Sequence, residues 1–202
     1  MQILRKHWFD IGGVLGIILV FVVCTNSKSL APYNLLMWFS LVTLFFHQLE
    51  EYRWPGTFPF MVNSVLFNSV TPDVYPLNSN TALIINVGIG WSLYFLAAIS
   101  GVHAVWLGLA TIMVSIGNVI AHTFLFNIRG RTFYNAGMAT ACLLFAPCAF
   151  YFFYVVHKFH LITTLDYLIG IPLGIVLNVV GVLKMIDWLK NKNSPYHFEP
   201  RK

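Results

Sequence analysis

Long apolar runs alternate with short polar breaks from one end of the chain to the other. The first run, Trp8 to Cys24, follows Arg5 and Lys6. That layout also fits a signal peptide with Cys24 as a lipoprotein cysteine. Val22 and Val23 lack the small residue that cleavage wants, however, and five more runs follow, so a retained helix is the better reading. The second run extends from Pro32 to Tyr52. Arg53 to Asn78 then carries Pro55, Pro59, Pro72 and Pro76, too many prolines for one regular helix. Phe58, Phe60, Met61, Val65, Leu66 and Phe67 keep this segment apolar, which predicts that it lies on or dips into a membrane surface. Connections this long often serve as lids or binding loops, and a lid over a neighbouring site is expected here. The third run, Asn80 to Ser100, turns at Gly101 into a fourth, Val102 to Phe126, closed by Arg129-Gly130-Arg131. A fifth covers Asn135 to Val156. The sixth begins near Asp166 and ends in the basic stretch Lys184 to Lys192, with Gly170, Gly174, Asn178 and Gly181 forming a small-residue face for close helix packing. About 20 apolar residues carry a helix across a bilayer. The predicted fold is therefore all-α, a polytopic bundle of six transmembrane helices in one domain, residues 1–202.

Composition agrees. Of 202 residues, 58% are hydrophobic and only 9% charged, which excludes an ordinary soluble domain. With six spans, one side holds Arg5, Lys6, Arg53, Arg129, Arg131, Lys184, Lys190, Lys192, Arg201 and Lys202, and the other only Lys28 and Lys158. Ten basic residues against two place both termini in the cytoplasm by the positive-inside rule. An integral protein of the cell membrane is expected. The net charge of +5 flanks the spans, so it points to anionic lipid headgroups and not to nucleic acid. No internal repeat supports a two-fold transporter architecture. Cys24, Cys142 and Cys148 show neither metal spacing nor a disulfide framework.

Candidate chemistry gathers at the end of the second run, in His47-Gln48-Leu49-Glu50-Glu51. A helix puts Glu50 and Glu51 three and four residues after His47, on nearly one face. Two adjacent carboxylates at the end of an apolar segment repel one another and resist desolvation, so a cation or a catalytic task is expected to offset them. The predicted topology brings Asn118 and His122, i and i+4 on the fourth helix, to the same cytoplasmic depth. Polar stripes continue both sets inward: Ser40, Thr43 and His47 on one helix, Thr111, Ser115, Asn118 and His122 on the other. Such stripes face a bundle interior or a cavity. His47 and His122 with Glu50 or Glu51 would make a three-ligand site for zinc, or for iron or manganese, with an open position. The remaining glutamate would serve as general base on a water activated by the ion. Without metal, one glutamate could hold a proton and act as general acid or base. Asn86 and Asn135 come from the same side and could complete the site as substrate-binding or supporting groups, as could Arg129 and Arg131.

The five-residue stretch resembles the signature of the HXXEE family, small polytopic membrane proteins named for that motif. Asn118…His122 and the segment Arg129 to Thr140 are similar to the family's second block, in which a histidine near a helix end precedes a Tyr-x-Pro-Gly-x-x-Thr-like turn. Gly137 and Thr140 match, while Ala136 stands where proline is expected. The resemblance spans about residues 33–150 and implies an enzymatic role for its polar residues without naming an activity. Intramembrane prenyl proteases of the CAAX type, with Glu-Glu-x-x-x-Arg and later helical histidines, are similar in chemistry only, since Arg53 stands two residues after Glu51. The expected function is a membrane-embedded, metal-assisted hydrolase or lipid-modifying enzyme acting on a lipid or membrane peptide. A small proton- or cation-coupled transporter and a non-enzymatic accessory protein are the alternatives.

Overall fold

The computed structural model describes residues 2–199. Among them no strand occurs; six long helices carry the fold. They are α1 (Gln2–Thr25), α2 (Pro32–Tyr52), α4 (residues 79–100), α5 (residues 105–130), α6 (Met138–Lys158) and α7 (Thr164–Trp188), with a short α3 (Phe58–Met61) in the proline-rich segment. Arg201 and Lys202, two of the ten basic residues counted on one side, lie outside the described residues.

Four helical stretches are long and apolar enough to cross a membrane: Gln2–Thr25, Ser79–Gly130, Met138–Lys158 and Thr164–Trp188. Ser79–Gly130 has 52 residues, roughly 78 Å if straight and over twice the ~30 Å hydrocarbon core. It folds back at Gly101, whose φ of +52° suits glycine, and so supplies both α4 and α5. Helix α2 falls outside this set because His47, Gln48, Glu50 and Glu51 dilute it. It is instead largely enclosed by the others, with both its apolar and its polar side chains buried.

Small residues set how closely the helices approach. Gly12, Gly13 and Gly16 seat α1 against Phe45, Phe46 and Leu49 of α2. The expected face of α7 packs on α5 through Gly170, under the Trp106 carbonyl, and Gly174, against Met113. Asn178 joins it, donating to the Met113 carbonyl at 3.1 Å. Gly181 differs, since a side chain there would meet only Leu177 of its own helix. Ile17, Phe21, Leu143, Phe150, Leu165 and Leu168 are exposed on the outside.

The proline-rich segment folds over one end of the bundle. Buried Asn63 donates to the carbonyls of Pro72 and Leu77, each at 2.8 Å, and accepts from the Leu77 amide at 2.9 Å. The C-terminal tail ties it down, with the Phe198 amide donating to the Asp73 carbonyl at 2.7 Å. One feature is invisible to periodicity. Five stretches, Val62–Leu66, Ile84–Trp91, Ala121–Leu125, Ala141–Phe145 and Val179–Lys184, are wound as wider i→i+5 turns.

Candidate metal centre

Helix α2 is regular to its end, so His47 and Glu51 face the same way. His122 enters from α5 inside the wide turn Ala121–Leu125. All three are buried, and one ligand atom from each lies within 4.8 Å of the others. Glu51 Oε1 stands 3.4 Å from His47 Nε2 and 3.2 Å from His122 Nε2. Ligands about 2.0–2.1 Å from a tetrahedral zinc ion stand roughly 3.3 Å apart, so two edges of the triangle already have the spacing that an ion imposes.

Hydrogen bonds decide which ring nitrogens are available. Asn135 donates its amide to the His122 carbonyl and to Asn127 Oδ1, both at 2.7 Å. Its Oδ1 is left to accept from His122 Nδ1 at 2.6 Å. Likewise the Thr140 hydroxyl donates to Glu50 Oε2 at 2.5 Å and can only accept from His47 Nδ1, 2.9 Å away. Both imidazoles therefore carry a proton on Nδ1, and when neutral both aim an Nε2 lone pair at Glu51. His47 Nε2 has no hydrogen-bond partner although it is buried. Two such nitrogens and a carboxylate meeting away from water call for a shared proton or a metal ion between them, and outer hydrogen bonds that fix the imidazole tautomer are what metal-binding histidines use. The donor set fits a divalent ion of the zinc, iron or manganese kind. Phe145 against His47 and Phe58 and Phe126 against His122, at ring separations of 4.6, 5.3 and 5.2 Å, keep the surroundings dry. Phe58 thus brings the proline-rich segment onto the site.

Glu50, expected as ligand or general base, stands apart from this trio. Its Oε1 accepts from the Tyr134 hydroxyl at 2.7 Å and the Ala139 amide at 3.1 Å. Its Oε2 accepts from the Thr140 amide at 2.7 Å and the Thr140 hydroxyl. One residue of helix is about 100° of rotation, which turns Glu50 towards α6 while Glu51 faces α5. With four donors upon it, Glu50 clamps the 134–140 turn onto α2. Burial, reinforced by the Glu50 carboxylate, pushes the Tyr134 phenol up to about 12, so it remains a donor. Gly137 sits in this turn at φ +103°, and a Cβ there would overlap the His122 ring. This turn is also why α6 begins at Met138 and not at Asn135.

The other expected residues divide. Asn135 orients His122. Asn86 accepts from Gln48 Nε2 at 3.0 Å and donates to the Tyr52 hydroxyl at 3.2 Å. Asn118 bonds back to the Val114 carbonyl at 3.0 Å. Asn86 and Asn118 both line a cavity beside the trio. Arg129 and Arg131 are exposed at the end of α5 and are not brought to the site. Residues not singled out as site members include Gln48, which accepts from Trp91 Nε1 at 2.7 Å. Tyr94 is another, with its hydroxyl 2.8 Å from Ser115 Oγ. Thr140 is a third; its signal was its place three residues after Gly137. Thr140→Val should lower metal affinity 10–100-fold, the usual effect of losing an outer partner, and Thr140→Ser should retain it. Competition with a chelating dye on purified protein measures both.

In this apolar bundle the polar residues converge on a buried His-Glu-His trio, and one glutamate ties two motif blocks together. Residues 38–152 match the family described as "Protein of unknown function with HXXEE motif", and the chain belongs to the HXXEE family. The signature's histidine and second glutamate supply two of the trio, α5 supplies the third, His122, and the signature's first glutamate supplies the clamp. No curated protein and no solved structure matches the chain.

Proposed function

We propose that the protein is a membrane-embedded, metal-dependent hydrolase. His47 Nε2, His122 Nε2 and Glu51 hold one divalent ion beside an internal cavity. The observation that carries this reading is the orphaned, buried His47 Nε2, aimed with His122 Nε2 at a carboxylate. Three protein ligands leave a fourth position for water or substrate, as in hydrolytic zinc sites. A bound ion supplies Lewis acidity and a water activated near neutral pH. The protein's own contribution is orientation and exclusion of bulk water. Asn135 and Thr140 hold the imidazoles, Glu50 anchors Thr140, and Phe58 covers the trio. Six membrane crossings with both termini in the cytoplasm accord with the six long helices and the ten-to-two distribution of basic residues. They put the trio near the cytoplasmic face of the cell membrane.

Elemental analysis of protein extracted into detergent tests this reading. About one divalent ion per chain is expected. Chelation should abolish hydrolysis across a panel of lipid esters and amides, and restoring the metal should recover it. Folded protein without metal would instead leave the trio as a shared-proton network, favouring the proton-coupled transporter.

A further inference from the structure

His47 and Glu51 of the trio line a cavity of about 120 Å³ between α2, α4, α5, α7 and the proline-rich segment, with His122 behind them. Its polar wall is a belt at the level of Glu51, formed with Gln48, Asn86 and Asn118. Beyond this belt towards the middle of the bundle lie Leu44, Leu93, Val114 and Leu177. Tyr94 lies there too, and presents its ring because its hydroxyl is engaged by Ser115 and the Thr111 carbonyl. From Glu51 to Leu44 the helix rises roughly 10 Å. Two glycines keep this depth open. A Cβ at Gly90 would find its nearest neighbour, Gln48 Nε2, at 3.7 Å, and one at Gly181 would meet only Leu177, also no nearer than 3.7 Å.

We propose that this cavity holds the long apolar chain of a lipid substrate, its tail running inward past Leu44 and its reactive bond at the trio. The assignment rests on reading the trio as a reactive centre. Dimensions favour a chain over a peptide. A transmembrane helix is about 10–12 Å across and would have to part α4 from α7, which touch beside the cavity, whereas a single alkyl chain is far narrower. Lipid tails are as apolar as these walls, so there is little hydrophobic gain on entry. Selection depends on fit, and filling the cavity should abolish it.

The probe is stearic acid with a mid-chain diazirine, which is also an analogue of a hydrolytic product, in phosphatidylcholine vesicles containing the full chain. Photolysis should label Leu93 or Leu177. Gly181→Phe should cut that labelling at least tenfold while metal content stays at the wild-type level. Gly90→Val gives the same test should the larger residue prevent folding. Unlabelled oleate and geranylgeraniol, as competitors, separate acyl from isoprenoid chains, and displacement by either supports the assignment. Metal content measured on the same wild-type sample separates the two readings, because cavity labelling without bound metal overturns the metal centre and leaves the chain site standing. Labelling confined to outward residues such as Ile175 and Val179 and indifferent to Gly181→Phe and Gly90→Val overturns the chain site. So does labelling of Leu93 or Leu177 by a photoreactive polyleucine helix in place of the stearate, which would assign the cavity to a peptide.

Discussion

Glu51→Gln should yield folded protein without bound metal, and His122→Ala should lose metal binding as well. The glutamine keeps the shape of the side chain but offers the ion a neutral oxygen, and the alanine deletes a ligand. Losing an outer partner such as Asn135 costs 10–100-fold in metal affinity, and losing one of three direct ligands should exceed that range. In Glu51→Gln the fold should survive, whereas His122→Ala also leaves a void between Phe58, Phe126 and Gly137 and should lower the yield. The trio is a meeting of lone pairs and negative charge, and removing the carboxylate relieves a buried charge as well as a binding site. Metal content per chain, measured beside the monodisperse yield from size-exclusion chromatography, distinguishes the outcomes. Lost yield with metal retained in the surviving fraction would make the trio structural.

The neighbouring carboxylate should behave in the opposite way. Glu50→Ala leaves the Thr140 and Ala139 amides without their acceptor, turns the Thr140 hydroxyl back to the Gly137 carbonyl and releases the half-exposed Tyr134 phenol. Hydrogen bonds to a charged acceptor contribute about 1.5–3 kcal/mol each, and a buried neutral donor left unsatisfied costs about 1–3 kcal/mol. That is a large part of a typical domain's stability. Glu50→Ala should therefore accumulate poorly, and Glu50→Gln should shorten the half-life in detergent at a fixed temperature. What Glu50→Gln protein survives should still bind metal, because His47, Glu51 and His122 are intact. Half-life and metal content measured on the same preparation check both. A stable, metal-free Glu50→Gln protein would return Glu50 to the ligand set.

How much of this was legible in the sequence follows from which residues sit on regular helix. His47 and Glu51 are i and i+4 on uninterrupted α2, so their common direction could be read directly. The depth shared with His122 came from the order of the apolar runs and the charge asymmetry. What separates Glu50 from Glu51 is one residue of rotation, and which neighbour each meets is decided by α5 and α6, which no local pattern encodes. Gln48 occupies an unspecified position of the signature yet joins Trp91 to Asn86, a link that exists only once α4 is packed on α2. Asn118 and His122 read as one stripe, but His122 lies in a wide turn, where the 3.6-residue period no longer applies. Arg129 and Arg131 looked close because they are close in sequence. The helix carries Arg129 past the site to the surface, and Arg131 follows just beyond its end.

Those wide turns bear on how chains of this family should be aligned. Val62–Leu66, Ile84–Trp91 and Val179–Lys184 contribute walls to the cavity. Ala121–Leu125 carries His122, and Ala141–Phe145 carries the ring against His47. A wide turn holds one residue more than the regular turn it replaces. Deleting that residue from Ala121–Leu125 would let α5 close into regular winding and swing all that follows by about 100°, taking Phe126 and the Asn135 turn off the trio. A one-residue gap inside an apolar run is usually dismissed as misalignment. In relatives of this chain it would mark a helix that has lost its place at the centre.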